Sequence, residues 1–214
     1  MAACQEQSPA GAQADPSSKL PEGSGFDFLV LSLSWSPSYC AAEGEDANRQ
    51  QCSGRRQYAF VAHGLWPQFE SGWPEFCASG EPDRVPQSIV DGMLDIMPSA
   101  GLMGHQWRKH GSCAGVSQRD YFALLRAAWE RVEIPDGFGH VERHQSVRPR
   151  DVETSFLQAN QGLPADGIAV TCDNRYLREV RICMTKSLEF RACEEVDRRA
   201  CTRNSVVMPP ARGR

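Results

Sequence analysis

No stretch of this sequence is apolar for long enough to cross a bilayer as a helix. The longest apolar run, around residues 28–33, falls far short of the roughly 20 residues such a helix requires. Basic residues are also scarce, 23 Lys and Arg against 27 Asp and Glu, for a net charge of -4. Holding duplex nucleic acid takes a broad basic face, so duplex DNA is excluded as a partner and any nucleic-acid chemistry must be confined to a cleft. Nine cysteines are present without a single C-x-x-C pair, which argues against a zinc ribbon or a thioredoxin-like site. None of Asn48, Asn160, Asn174 and Asn204 is followed by x-Ser or x-Thr, so no acceptor for N-glycosylation exists, which tilts a disulfide protein towards a bacterial origin. A secretory signal is missing too, because Met1 to Cys4 has neither a basic nor an apolar region. The expectation is that such a segment has been removed; Ala2-Ala3-Cys4 reads either as the remnant of a lipoprotein cleavage site or as an addition made for expression.

What the cysteines do offer is an even set. With Cys4 set aside, Cys40, Cys52, Cys77, Cys113, Cys172, Cys183, Cys193 and Cys201 are spread through the body of the chain. Disulfides are the natural use, and they imply an oxidising compartment, secreted or periplasmic. The last four allow three pairings, between which the sequence does not choose.

Residues 4–25 are Ser, Pro, Ala, Gly and Gln with few apolar side chains, a composition that cannot offset its own ordering entropy. The expected organisation is a disordered leader over 1–25, one domain over 26–208 and a flexible tail over 209–214. Residues 26–35 alternate Leu29, Leu31, Leu33 and Trp35 with Phe28 and Val30, which predicts a strand buried on both faces. A second strand is predicted over 58–62. Ile89, Met93, Leu94 and Met97 give a helical pattern over 87–97 that stops at Pro98. The clearest helix covers 117–132, with Ser117 and Asp120 as a capping box and Phe122, Leu125, Trp129 and Val132 as its apolar stripe. A shorter helix is predicted over 150–160. Residues 168–172 and 176–185 read as antiparallel strands, with Val180, Ile182 and Met184 on one face. Strands and helices in blocks make this an α+β domain: a central antiparallel β-sheet with helices packed on it, stapled by disulfides.

Three of the five histidines fall in two short segments, His63-Gly64-Leu65-Trp66-Pro67 and His105-Gln106-Trp107-Arg108-Lys109-His110-Gly111-Ser112-Cys113. If the second is helical, His105 stacks over Lys109 and Gln106 over His110 in two adjacent columns. Gly111 is then placed to end the helix in a left-handed cap. In the first segment, a His at the end of a strand is followed by Gly for a tight turn. Two imidazoles form an acid and base pair, one deprotonating a nucleophile and the other protonating a leaving group. RNA supplies both within one nucleotide, and a Lys and a third His can stabilise charge that develops on the phosphoryl oxygens. A zinc site built from His63, His105, His110 and Cys113 is the rival; Cys113 is better used in a disulfide and neither motif holds a carboxylate, so no metal and no cofactor are expected.

These two segments resemble the active-site motifs of the ribonuclease T2 family. H-G-L-W-P matches in full, and H-Q-W-R-K-H-G-S-C is similar to the family pattern H-E-W-x-K-H-G-T-C. The likeness extends more loosely from Phe26 to Val207 and includes S-W-S-P-S-Y-C after the first strand. The resemblance implies a monomeric endoribonuclease acting on single-stranded RNA through a 2′,3′-cyclic phosphate to 3′-phosphate ends. It further implies that His110 is the general base, His63 the general acid, His105 a phosphate ligand and Lys109 the stabiliser of the transition state. Trp66 would stack on a base and Gln68 contact a base edge; packing alone is the other reading of Trp66. The family pairing of cysteines would be Cys40 with Cys52, Cys77 with Cys113, Cys172 with Cys201 and Cys183 with Cys193. The departure is Gln106, an amide where the family has Glu, which implies a lower or less sharply defined pH optimum. Phe69, Trp73 and Phe76, after the first motif, read equally as a stacking surface and as ordinary loop packing.

Overall fold

The computed structural model describes residues 20–54 and 56–211. Cys4, most of the expected leader and the last three residues of the expected tail lie outside the described residues. Six strands, β1 (Phe28–Trp35), β2 (Phe60–Gln68), β3 (Gln145–Val147), β4 (Ile168–Cys172), β5 (Leu177–Met184) and β6 (Val206–Met208), are joined by seven α-helices and four short 3-10 turns among the described residues. The α-helices are α1 (Ser36–Glu43), α2 (Arg49–Cys52), α3 (Gln87–Met93), α4 (Ala100–Lys109), α5 (Gln118–Arg131), α6 (Pro149–Ala159) and α7 (Glu194–Asp197).

The main sheet has the order β2-β1-β5-β4 with every neighbouring pair antiparallel, and β3 and β6 make a separate pair. The α+β architecture follows from the alternation in β1. Leu29, Leu31, Leu33 and Trp35 enter the large core that the helices cover. Phe28 and Val30 enter a smaller cluster on the opposite face, with Ala169, Cys183, Cys193 and Val196. Ser117 caps α5 as its sequence predicts, accepting from the Asp120 N–H at 3.2 Å. The stripe of α5 packs on β1 and β2.

Four disulfides join Cys40 to Cys52, Cys77 to Cys113, Cys172 to Cys201 and Cys183 to Cys193. At the ends of the described chain, the Ser24 N–H donates to Ala114 O at 3.1 Å and the Ala211 N–H to Val141 O at 2.9 Å. Trp35 Nε1 donates to Pro209 O at 3.0 Å. Ordered contacts thus reach a few residues beyond both expected boundaries of the domain.

Three local expectations are corrected. The second strand runs on through the first motif to Gln68, so His63 lies in mid-strand and no tight turn follows it. Its continuation is held because β2 is an edge strand whose outer groups find other partners: Tyr121 Oη of α5 takes the Leu65 N–H at 3.4 Å and donates to Leu65 O at 3.1 Å. The helix expected over 87–97 ends as α3 at Met93. Gly111 is not left-handed, since it is absent from the positive-φ residues. Glycine is required there for space: a Cβ would lie 2.6 Å from the Trp107 ring and 2.9 Å from that of Tyr121.

Candidate active site

A bulge in β2 aims the first motif. Ser32 of β1 pairs with Gly64 and Leu33 with Ala62, so His63 is an extra residue with no partner in the ladder. Strict alternation would put Ala62 and Gly64 on one face and Leu65 on the other. The extra residue resets the phase. Ala62 and Leu65 both reach the large core, while His63 and Trp66 face the opposite side, where a cleft opens.

The second motif lies on α4 and its end. Ser99 starts the helix by accepting from the Leu102 N–H at 3.2 Å. His110 is the residue that closes it, its N–H donating to Gln106 O at 2.9 Å. The Cys77–Cys113 disulfide ties the following turn to the loop after the first motif. Trp107 is buried in the core, and Arg108 is exposed.

His63, His105, Gln106, Lys109, His110, Trp66 and Gln68 all line this one cleft of about 360 Å³. The Trp66 indole touches both imidazoles: the His63 ring is edge-on at 5.4 Å and the His110 ring tilted at 5.1 Å. Gln106, buried, accepts from Trp66 Nε1 at 2.8 Å. Gly64 is what lets the amide come so close, because a Cβ there would sit 2.3 Å from Gln106 Oε1 and 2.6 Å from Trp66 Nε1. Gln68 is buried at the cleft, its amide donating to Pro67 O at 3.1 Å. Lys109 pairs loosely with Glu75 at 3.7 Å. A second depression lies on the other side of His63 and shares His63, His105 and Glu179 with the first. His140 and His144 are exposed and do not line the cleft.

The three motif histidines differ in environment. Burial, with the nearby charges of Lys109, His63 and His105, pushes His110 down to about 3. Its Nδ1 is buried without a hydrogen-bond partner, which further disfavours an imidazolium. His105 is lowered by burial and by Lys109, Arg108 and His63. His63 is bonded instead: its Nδ1 lies 2.5 Å from Glu179 Oε1. Arg181 holds the other carboxylate oxygen through Nε at 2.9 Å and Nη2 at 2.7 Å, and lies over the Trp66 ring at 5.0 Å.

Glu179 and Arg181 are absent from the sequence reading. The alternation of β5 already held a signal: with Val180, Ile182 and Met184 on the core face, Glu179 and Arg181 must share the opposite one. Two opposite charges on one face of a strand whose other face is apolar from Val180 to Met184 mark the charged face as the floor of a site. Trp73, from the aromatic run, lines the cleft with Arg199 4.7 Å above its ring, whereas Phe69 and Phe76 are exposed outside the lining. Among the described residues no three His, Cys, Asp or Glu side chains are grouped to hold a metal ion, and Cys113 is committed to its disulfide. The arrangement offers two imidazoles of unlike environment, an ammonium and stacking surfaces around one groove.

Comparison with known proteins agrees with the motifs. The sequence matches the Ribonuclease T2 family over residues 26–193. It is 35% identical over 169 residues to a ribonuclease of Aeromonas hydrophila, covering 77% of this chain and 74% of that protein. A probable ribonuclease of Haemophilus influenzae is 30% identical over 154 residues, 63% of this chain and 55% of its own length. In fold, the chain is similar to trichomaglin, an S-like ribonuclease, with a TM-score of 0.69 at 20% identity over 87% of this chain and 99% of that one. RNase NT, solved with 5′-AMP, gives a TM-score of 0.62 at 20% identity over 86% and 98%.

Proposed function

Since the chain belongs to the ribonuclease T2 family and is an endoribonuclease, we propose that it cleaves single-stranded RNA by metal-independent transphosphorylation with His110 as general base and His63 as general acid. His110 takes the proton of the 2′-OH, the 2′-oxygen bonds to the adjacent phosphorus, and His63 returns a proton to the departing 5′-oxygen. The 2′,3′-cyclic phosphate then opens by the reverse traffic: His63 takes a proton from water, His110 gives one to the 2′-oxygen, and a 3′-phosphate remains. Lys109 and His105 meet the charge that builds on the phosphoryl oxygens, which a groove of low dielectric strengthens.

The observation that carries the reading is that both imidazoles line one cleft and touch one indole. The low value of His110 supports its role, because a base must be neutral before it can accept. Trp66 and Gln68 on one side of His63, and the depression on its other side, suit the two nucleosides that flank a phosphodiester. RNase NT with 5′-AMP supports a nucleotide in this fold. The disulfides support an oxidising compartment, secreted or periplasmic, and among the described residues no helix is long and apolar enough to cross a membrane. We further take the enzyme to be monomeric.

Digestion of a defined single-stranded RNA between pH 4 and 8 in excess chelator, with the ends mapped, tests the proposal. Transient cyclic phosphates and 3′-phosphate ends are expected, and His63→Ala and His110→Ala should each lose about 10²–10⁴-fold in rate. Arrest by chelator, 5′-phosphate ends or undiminished activity of either variant would overturn it.

A further inference from the structure

β2 and β5 are not neighbours, since β1 lies between them. At a spacing of about 4.8 Å per strand, their backbones are separated by about 10 Å. A side chain of β2 and one of β5 therefore meet only if both lean over β1 and find nothing tall beneath. At this level β1 carries Ser34, opposite Val61 and Glu179, and Ser32, opposite Gly64 and Arg181. Ser32 is fully buried and its Oγ has no hydrogen-bond partner. Its smallness, not its hydroxyl, is what the site uses. The bulge then lets His63 reach across to Glu179.

From this bridge we propose that Glu179 is a positioning residue for His63: its carboxylate accepts the Nδ1–H and so directs the transferable proton to Nε2. The inference rests on the reading of His63 as general acid. One oxygen of Glu179 is engaged by His63 and the other by Arg181, which leaves the carboxylate no freedom to turn away. Burial alone would make Glu179 a neutral acid. The hydrogen bond and charge of His63, with Arg181, outweigh burial and hold it at about 2, so it stays ionised wherever the enzyme works. An ionised carboxylate only accepts, so Nδ1 must be the donor and the exchanging nitrogen is fixed. Among the described residues no other carboxylate bonds His63; the titratable groups that line the cleft with it from α4 and its C-terminal end are His105, Lys109 and His110.

Two substrates separate this role from a structural one. A ribodinucleoside 3′,5′-phosphate has a leaving group that needs a proton, whereas a uridine 3′-(4-nitrophenyl phosphate) does not. In Glu179→Gln and Glu179→Ala the kcat on the dinucleotide should fall by about 10- to 100-fold, and on the aryl ester by less than about threefold. Both rates come from one preparation, so their ratio is independent of how much of it is folded. His63→Ala is the control and should show the same selectivity with a larger loss. If His63→Ala is selective and the Glu179 variants lose equally on both substrates or not at all, the positioning role is overturned and the acid role stands. If His63→Ala itself loses equally on both, the acid role falls and the inference falls with it.

Discussion

Replacing Gln106 by Glu restores a carboxylate within the second motif, and its effect can be worked from the structure. Gln106 is 1% exposed, precedes His110 by one helical turn, and bonds the indole that touches both motif histidines. Side chains one turn apart sit about 6 Å from each other. At an effective dielectric of about 20, a negative charge there favours the imidazolium of His110 by about 3 kcal/mol, or about two pH units. His110 works as a base only when neutral, so kcat/KM rises with pH through its pKa. In the parent, burial and its cationic neighbours keep that value at about 3, and the acid limb should lie there. In Gln106→Glu the limb should climb to about pH 5, which costs about tenfold in kcat/KM at pH 4 and nothing at pH 7. The assay is the pH dependence of kcat/KM on a dinucleotide between pH 3 and 8. A variant profile that overlays the parent would refute the electrostatic argument, and a parent limb in the ordinary imidazole range would refute the environment assigned to His110.

Gly64→Ala drives a Cβ into Gln106 Oε1 at 2.3 Å and Trp66 Nε1 at 2.6 Å, so the indole must shift from both histidines. A loss of about 10²-fold in kcat/KM is expected, with a melting temperature within a few degrees of the parent, and unchanged kinetics would show that Trp66 is not held by that contact. The Cys172–Cys201 disulfide closes a separation of 29 residues. Its removal as a double Ser variant should cost about 3–4 kcal/mol and lower the melting temperature by about 7–15 °C, as calorimetry would measure. A fall of under about 2 °C would mean that this staple contributes nothing measurable to the fold.

The chain's own residues determined a good deal before any packing was considered. The alternation in β1, the capped stripe of α5 and the stapling by eight cysteines make an α+β domain, because period, capping and composition are properties of neighbouring residues. The two histidine motifs pointed to the family for the same reason: both are contiguous. What the sequence misread, it misread locally as well. Gly64 and Gly111 look like a turn and a left-handed cap, whereas one makes room for Gln106 from α4 and the other for Tyr121 from α5. Gln106 lies far from Gly64 in sequence, and Gly111 is crowded by Tyr121 of α5 as well as by the nearby Trp107, so which side chain needs the room is decided only by the packing.

Tertiary structure decided the rest. Only the register against β1 reveals that His63 is an extra residue that resets the phase of β2 and turns both His63 and Trp66 towards the cleft. Only the strand order β2-β1-β5 brings Glu179, 116 residues away, onto the His63 ring. The pairing among the last four cysteines was open at the level of sequence for the same reason. Residue types fix what a side chain can do; which one it meets depends on contacts between distant segments, and those exist only once the sheet has set its order and register.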